Sequence, residues 1–159
     1  MPKMRLCDNE IEIMRFYMKK IILILVLVLC ISFISCAKEP YTVENCTDTL
    51  VANGLVITES AAAGQDLIMA NSNINLEISA FMGNFSVKLL SYTALKNPNN
   101  DKQMCKIWEM ETKEQANMYS GFYMNNRGEN DGWKVTAVDN IVIATNISSV
   151  PKTLNLIFE

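Results

Sequence analysis

From Thr42 onward, the apolar side chains recur with spacings that switch between helix and strand. Val43, Cys46 and Leu50 fall at i, i+3 and i+7, one face of a helix that Thr42 can cap. Asn53-Gly54 supplies its stop, because glycine tolerates the left-handed backbone that follows many helices. Leu55-Val56-Ile57-Thr58 then reads as a buried strand, and the Ala/Gly-rich stretch at 59–66 fits either state. Ile74, Leu76, Ile78 and Ala80 alternate with Asn75, Glu77 and Ser79. That period of two predicts a half-buried strand. Met82-Gly83-Asn84 is a turn signal, and Phe85, Val87 and Leu89 continue the alternation. The pattern therefore predicts a hairpin over 74–92, with a helix through the region as the alternative.

Asn97-Pro98-Asn99-Asn100-Asp101 is a loop by composition, and residues 104–110 read as a strand. Thr112-Lys113-Glu114-Gln115 has the form of a capping box. The helix it opens sets Ala116, Tyr119 and Tyr123 on one face, flanked by Phe122, and Gly128 closes it. Asn130-Asp131-Gly132 reads as a turn. Residues 133–138 and 141–145 flank Asp139-Asn140, a two-residue hairpin signal. Ser149 and Pro151 begin a last helix with Val150, Leu154 and Ile157 inward; a strand over 153–158 is the alternative. The sum is an α+β domain, a small antiparallel or mixed sheet with two or three helices packed on one face. No internal repeat is present.

Ahead of this domain the pattern changes. Residues 21–37 hold no charged side chain, and Met18-Lys19-Lys20 precedes an aliphatic run from Ile21 to Leu29. A basic start followed by an apolar core fits a secretory signal. The run ends in Phe33-Ile34-Ser35-Cys36. Here the chain resembles bacterial lipoprotein precursors, whose lipobox is a large apolar residue, a variable one, a small one and an obligatory Cys. Phe33 stands where Leu is commoner. The resemblance implies that the Cys36 thiol receives a diacylglyceryl group and that the chain is cut just before it. Two or more acyl chains give stable anchoring. The expected address is thus the cell membrane or outer membrane, with the domain facing the periplasm or exterior. An uncleaved transmembrane helix is the alternative, though about 20 apolar residues are usual for a span; a buried helix of a cytosolic fold comes third. The expected organisation is a mis-assigned start or extended n-region at 1–17, since Asp8, Glu10 and Glu12 are out of place there. A signal peptide follows at 18–35, then the lipidated Cys36 with a short tether to 41, then a single α+β domain over 42–159. The opening helix, the Gly54 stop and the closing hairpin-plus-helix resemble small bacterial lipoproteins of unassigned role, a likeness that implies no function.

Charge divides at the same place. Of 14 basic and 17 acidic residues, five and three fall in residues 1–36, leaving nine and 14 and a net charge of −5. An acidic domain is repelled by phosphates, so nucleic acid is not an expected partner. There is no histidine among the 159 residues, which removes the commonest general base and metal ligand. No metal and no cofactor is expected. Once Cys7, Cys30 and Cys36 are set aside, Cys46 and Cys105 remain. An exported domain meets oxidising conditions, so the pair is a candidate disulfide; two small buried hydrophobes is the alternative reading.

Motifs of reaction chemistry fail on inspection. Ser149-Val150-Pro151-Lys152 matches S-x-x-K, but the domain is short for penicillin-recognising enzymes, Pro151 constrains the turn, and neither K-T-G nor S-D-N is present. Residues 127–138 place Arg127 and Val138 where a calcium loop needs acids. Glu109, Glu111 and Glu114 at a strand-to-helix junction suit the helix dipole. Trp108 and Trp133, with Tyr119 and Tyr123, either line a ligand groove or pack as core. The expected function is a non-enzymatic, membrane-anchored binding or envelope-assembly module, whose partner is an envelope protein or a small ligand. The alternative is a small-ligand-binding lipoprotein that uses Trp108 or Trp133.

Overall fold

Val56–Ala61 (β1), Leu89–Asn97 (β2), Asn100–Met110 (β3), Lys134–Val138 (β4) and Ile141–Thr145 (β5) form one sheet in the order β1-β2-β3-β5-β4. Every neighbouring pair is antiparallel. The computed structural model describes residues 18, 20, 21, 41–83, 85–128 and 132–158. The chain divides into two compact units, Met1–Pro40 and Tyr41–Glu159, and the sheet belongs to the second. In the first unit only Met18, Lys20 and Ile21 are described, all helical. The lipobox, Cys36 and residues 37–40 lie outside the described residues, as do Asn84, Asn130 and Asp131 of the expected turns.

Among the described residues of the second unit, four helices accompany the sheet: Val43–Ala52 (α1), Gly64–Met82 (α2), Lys113–Tyr123 (α3) and Val150–Leu154 (α4). A π-helical turn, Met124–Gly128, extends α3. The α+β architecture and the antiparallel sheet match the sequence expectation, with one difference in layering: the helices cover both faces of the sheet rather than one. Strand side chains alternate between faces, and here both sets are apolar. Leu95, Cys105, Ile107, Ile141 and Ile143 meet Val43, Cys46 and Leu50 of α1 and Val150 and Leu154 of α4. Tyr92, Ala94, Trp108, Val142 and Ala144 meet Ile74 and Ile78 of α2 and Tyr119, Phe122 and Tyr123 of α3. One layer is aliphatic and the other largely aromatic. All five residues of β5 are buried, as a strand covered on both faces requires.

Local signals set several boundaries. Thr42 Oγ1 accepts the Asn45 backbone N–H at 3.1 Å and opens α1. Thr112 Oγ1 accepts the Gln115 N–H at 3.2 Å and opens α3. The other half of that capping box is not made, because Gln115 Oε1 accepts the Lys88 N–H instead, at 3.1 Å. The β4–β5 turn forms at Asp139-Asn140, with Asp139 in the left-handed region at φ 53.

Strand β1 is exposed at Val56 and Ile57 rather than buried, and two further expectations are corrected. The 74–92 hairpin is a helix followed by an extended segment. Leu67, Ala70, Asn71, Ile74, Asn75 and Ile78 form a helical stripe in which Ile74 and Ile78 are buried. Two asparagines interrupt its apolar character, and Leu76, which completed the alternation, points outward at 72% exposure. The extended segment still turns Val87 and Leu89 inward, but a strand partner is replaced by side chains. Val87 exchanges two hydrogen bonds with the Asn75 amide, each 2.8 Å, and the Leu89 N–H donates to Asn71 Oδ1 at 2.8 Å. Lys88 O accepts the Glu111 N–H at 2.9 Å. The backbone N–H and C=O of buried Val87 are thereby both paired. The second correction is Ile157, which is 89% exposed. Helix α4 stops at Leu154 because Asn155 turns left-handed, at φ 52, so Ile157 falls outside the inward register.

Candidate functional site

The aromatic layer is continuous. Tyr92 and Trp108 are directly opposed across β2 and β3, and their rings stack with centroids 5.9 Å apart and planes 26° apart. Trp108 meets Tyr119 edge-on at 5.3 Å and Tyr123 at 5.2 Å. Such pairs favour offset and T-shaped geometries because the ring faces are electron-rich and the edges electron-poor. Over this floor, α2 presents Ala70, Asn73, Ile74 and Glu77, spaced at i, i+3, i+4 and i+7 on one helical face. Between helix and sheet lies an open cavity of about 200 Å³, lined by these residues, Tyr92, Trp108, Tyr119 and Tyr123, together with Glu59 and Lys106.

The sheet register explains why charged side chains border an aromatic floor. Ala94 lies between Glu59 on β1 and Lys106 on β3 in one cross-strand row. Ala144 continues the row beyond Lys106. Two alanines leave space where larger side chains would fill the layer. Glu59 reaches this face only through a β-bulge. Ile57 pairs with Leu95 and Glu59 with Ala94, so Thr58 is the extra residue. In a regular ladder, with Thr58 paired to Ala94, Glu59 would fall opposite Thr93 and face the aliphatic layer, since a one-residue slip exchanges faces. Thr58 Oγ1 donates to the Ala94 carbonyl at 3.1 Å and ties the bulge down.

Once on this face, Glu59 Oε2 accepts the Tyr92 hydroxyl at 3.3 Å. Burial, with the neighbouring Glu59 charge and hydrogen bond, pushes the Tyr92 phenol well above its ordinary range, so it remains a donor. The site therefore offers carboxylates, an ammonium, a phenol and an aromatic floor, a set suited to holding a small polar ligand. Among the described residues, no group of three or more His, Cys, Asp or Glu is placed to hold a metal ion.

The residues singled out in the sequence separate. Trp108 lines the cavity; Trp133 does not, and packs half-buried against Tyr123 with centroids 5.9 Å apart. Cys46 and Cys105 are free thiols, both buried in the aliphatic layer on the other side of the sheet. Burial pushes the Cys46 thiol up to about 11. Burial also raises Cys105, to about 12; a hydrogen bond with Thr145 opposes the shift and nearby Cys46 adds to it. Ser149, which precedes α4 as its N-cap, and Lys152 within it are both exposed. The acidic trio disperses: Glu111 pairs with Lys88 Nζ at 2.6 Å, Glu109 accepts from Ser91 Oγ at 2.8 Å, and Glu114 lies in the first turn of α3. Glu59, Glu77 and Lys106 carried no sequence signal, because a bulge and a cross-strand register bring them together.

Among the described residues no helix is long and apolar enough to cross a membrane. The chain matches no protein-family model, no curated protein and no solved structure.

Proposed function

We propose that the chain is a bacterial lipoprotein, held on a membrane through acyl chains on Cys36, whose domain is a non-enzymatic module that binds a small ligand. The lipobox-type residues Phe33, Ser35 and Cys36 support the address. One observation carries the binding role: the cavity floored by Tyr92 and Trp108 and bordered by Glu59, Glu77 and Lys106. A concavity into which several polar groups converge is what holds a small polar ligand in one orientation. A fragment screen followed by amide NMR on the lipidated protein in uncharged micelles tests this. Shifts should cluster at Asn73, Glu77, Ala94 and Lys106. A screen whose hits all fall elsewhere would sink the assignment.

Envelope assembly through a protein partner is a second reading, favoured by the outer surface of α2. Ile68, Met69 and Leu76 are all exposed there, on a helix whose opposite side already covers the sheet. An apolar surface of this kind suits a protein contact. Leu76→Glu should abolish chemical cross-linking to an envelope partner and leave the cavity's NMR shifts intact. Unchanged cross-linking would remove this reading.

A further inference from the structure

We infer that the groove between the C-terminal end of α2 and the adjoining side of α3 binds a neutral sugar, with one pyranose ring seated on Phe81 and its hydroxyls on the asparagines of α3 and of the π-helical turn. This groove shares no lining residue with the aromatic-layer cavity, so it stands whether or not that cavity holds a ligand. It measures about 380 Å³, within the roughly 300–1,000 Å³ of small-molecule sites. Phe81 and Met82 form the α2 wall. Two adjacent i, i+4 rows form the other, Asn117, Gly121 and Asn125, then Met118, Phe122 and Asn126.

Three observations converge. The first is Gly121. It lies inside α3, outside the left-handed region, and a Cβ there would meet nothing within 4 Å. Neither backbone nor packing therefore requires glycine, which weakens a helix interior relative to alanine. What glycine does there is keep the middle of the groove open. The second is Phe81, which is 69% exposed. Buried Phe122 meets its ring at 5.9 Å with the planes 58° apart, a tilted contact that supports the ring from one side. An electron-rich ring face suits the weakly positive C–H face of a pyranose. The third is the polar lining. Among the described residues no charged side chain lines the groove, and its polar side chains are three asparagine amides. An amide both donates and accepts, as a sugar hydroxyl does. An ionic ligand would lose water there with no countercharge to meet it. Asn126 Nδ2 donates to the Phe122 carbonyl at 2.8 Å, which orients its amide on the π-helical turn. Such turns are frequent at functional sites.

The probes are the methyl glycosides of glucose, galactose and N-acetylglucosamine, with glucuronate as a charged counterpart and cyclohexanol as a ring without the hydroxyl array. Each is titrated into the full lipidated protein in uncharged polyoxyethylene micelles and followed by amide NMR. At least one glycoside should shift Gly121 and the side-chain amides of Asn117, Asn125 and Asn126. It should bind at least about tenfold more tightly than glucuronate or cyclohexanol, the scale of one or two hydrogen bonds. Gly121→Leu should abolish that binding while the thermal transition stays at or above the parent's, because leucine favours a helix and its Cβ meets open space. Phe81→Ala, at an exposed position, should weaken the glycoside about tenfold and keeps the test open should Gly121→Leu fail to fold. Unchanged affinity in either folded variant overturns the proposal. Glucuronate or cyclohexanol binding as tightly as the glycosides overturns it too, as does the absence of shifts at these residues. Glycoside shifts confined to Asn73, Glu77, Ala94 and Lys106 overturn it in favour of the aromatic-layer cavity.

Discussion

The side chain of Asn75 pairs with the backbone of Val87 as a neighbouring strand would, accepting from its N–H and donating to its carbonyl, both at 2.8 Å. This joins α2 to the segment that leads into β2. Val87 is buried, so its N–H and C=O take their partners from this side chain. Asn75→Ala is expected to cost about 1–3 kcal/mol, the penalty for stranding buried polar groups. Asn73→Ala, two residues earlier in α2 at an exposed position, should be close to neutral. Urea denaturation of the two variants measures the difference; equal midpoints would show that the pairing contributes nothing.

The aromatic floor predicts unequal tryptophans. Trp108 is 3% exposed and touches three other rings, whereas Trp133 is half-buried against one. Trp108→Ala is expected to lose about 3–5 kcal/mol, and Trp133→Ala distinctly less. Thermal unfolding of the pair checks the order, and a larger loss at Trp133 would contradict the layering described.

How much of this was legible beforehand varies with the kind of signal. Thr42 and Thr112 announce α1 and α3 because a capping hydroxyl acts within three residues. Asp139-Asn140 announces the β4–β5 turn for the same reason. Helix α2 was obscured because Asn71 and Asn75 occupy its inward stripe, while outward Leu76 imitates a strand. Their amides are inward because they satisfy backbone on a distant segment, which local spacing does not encode. Trp108 stood out as a candidate from its type alone. Glu59 did not, since its facing depends on one extra residue in β1 and on the register with Ala94. The helices on the second face follow from β5, whose run Ile141-Val142-Ile143-Ala144 is apolar at every position.

The thiols predict an alkaline limit to stability. Cys46 and Cys105 have folded values of about 11 and about 12 against an ordinary 9.0. A raised folded value means that the unfolded chain loses its protons first. Their contribution is therefore complete below about pH 9 and is lost as pH climbs towards 11–12. Denaturation midpoints should hold between pH 7 and 8.5 and fall above pH 9, and Cys105→Ala should flatten that decline. A fall just as steep in the variant would place its origin elsewhere.

The same thiols should resist iodoacetamide in the folded protein at pH 8, because the thiolate is the reactive form. Both should react fully once the chain is denatured without reductant. Failure to react until reductant is added would mean that they are bonded to each other.

For the proposed anchor, Cys36→Ser is expected to abolish labelling by a fatty-acid probe and to leave the precursor unprocessed. Mass analysis of the N-terminus reads both outcomes. Labelling that survives the substitution would defeat the lipidation proposal.

The bulge at Thr58 has a consequence beyond the aim of Glu59. Strand β1 forms one border of the sheet, and its Val56 and Ile57 are exposed. A straight border with greasy side chains invites a second molecule to add its own strand. The kink disrupts the even spacing that such zippering needs, so the residue that re-aims Glu59 also blunts this exposed border.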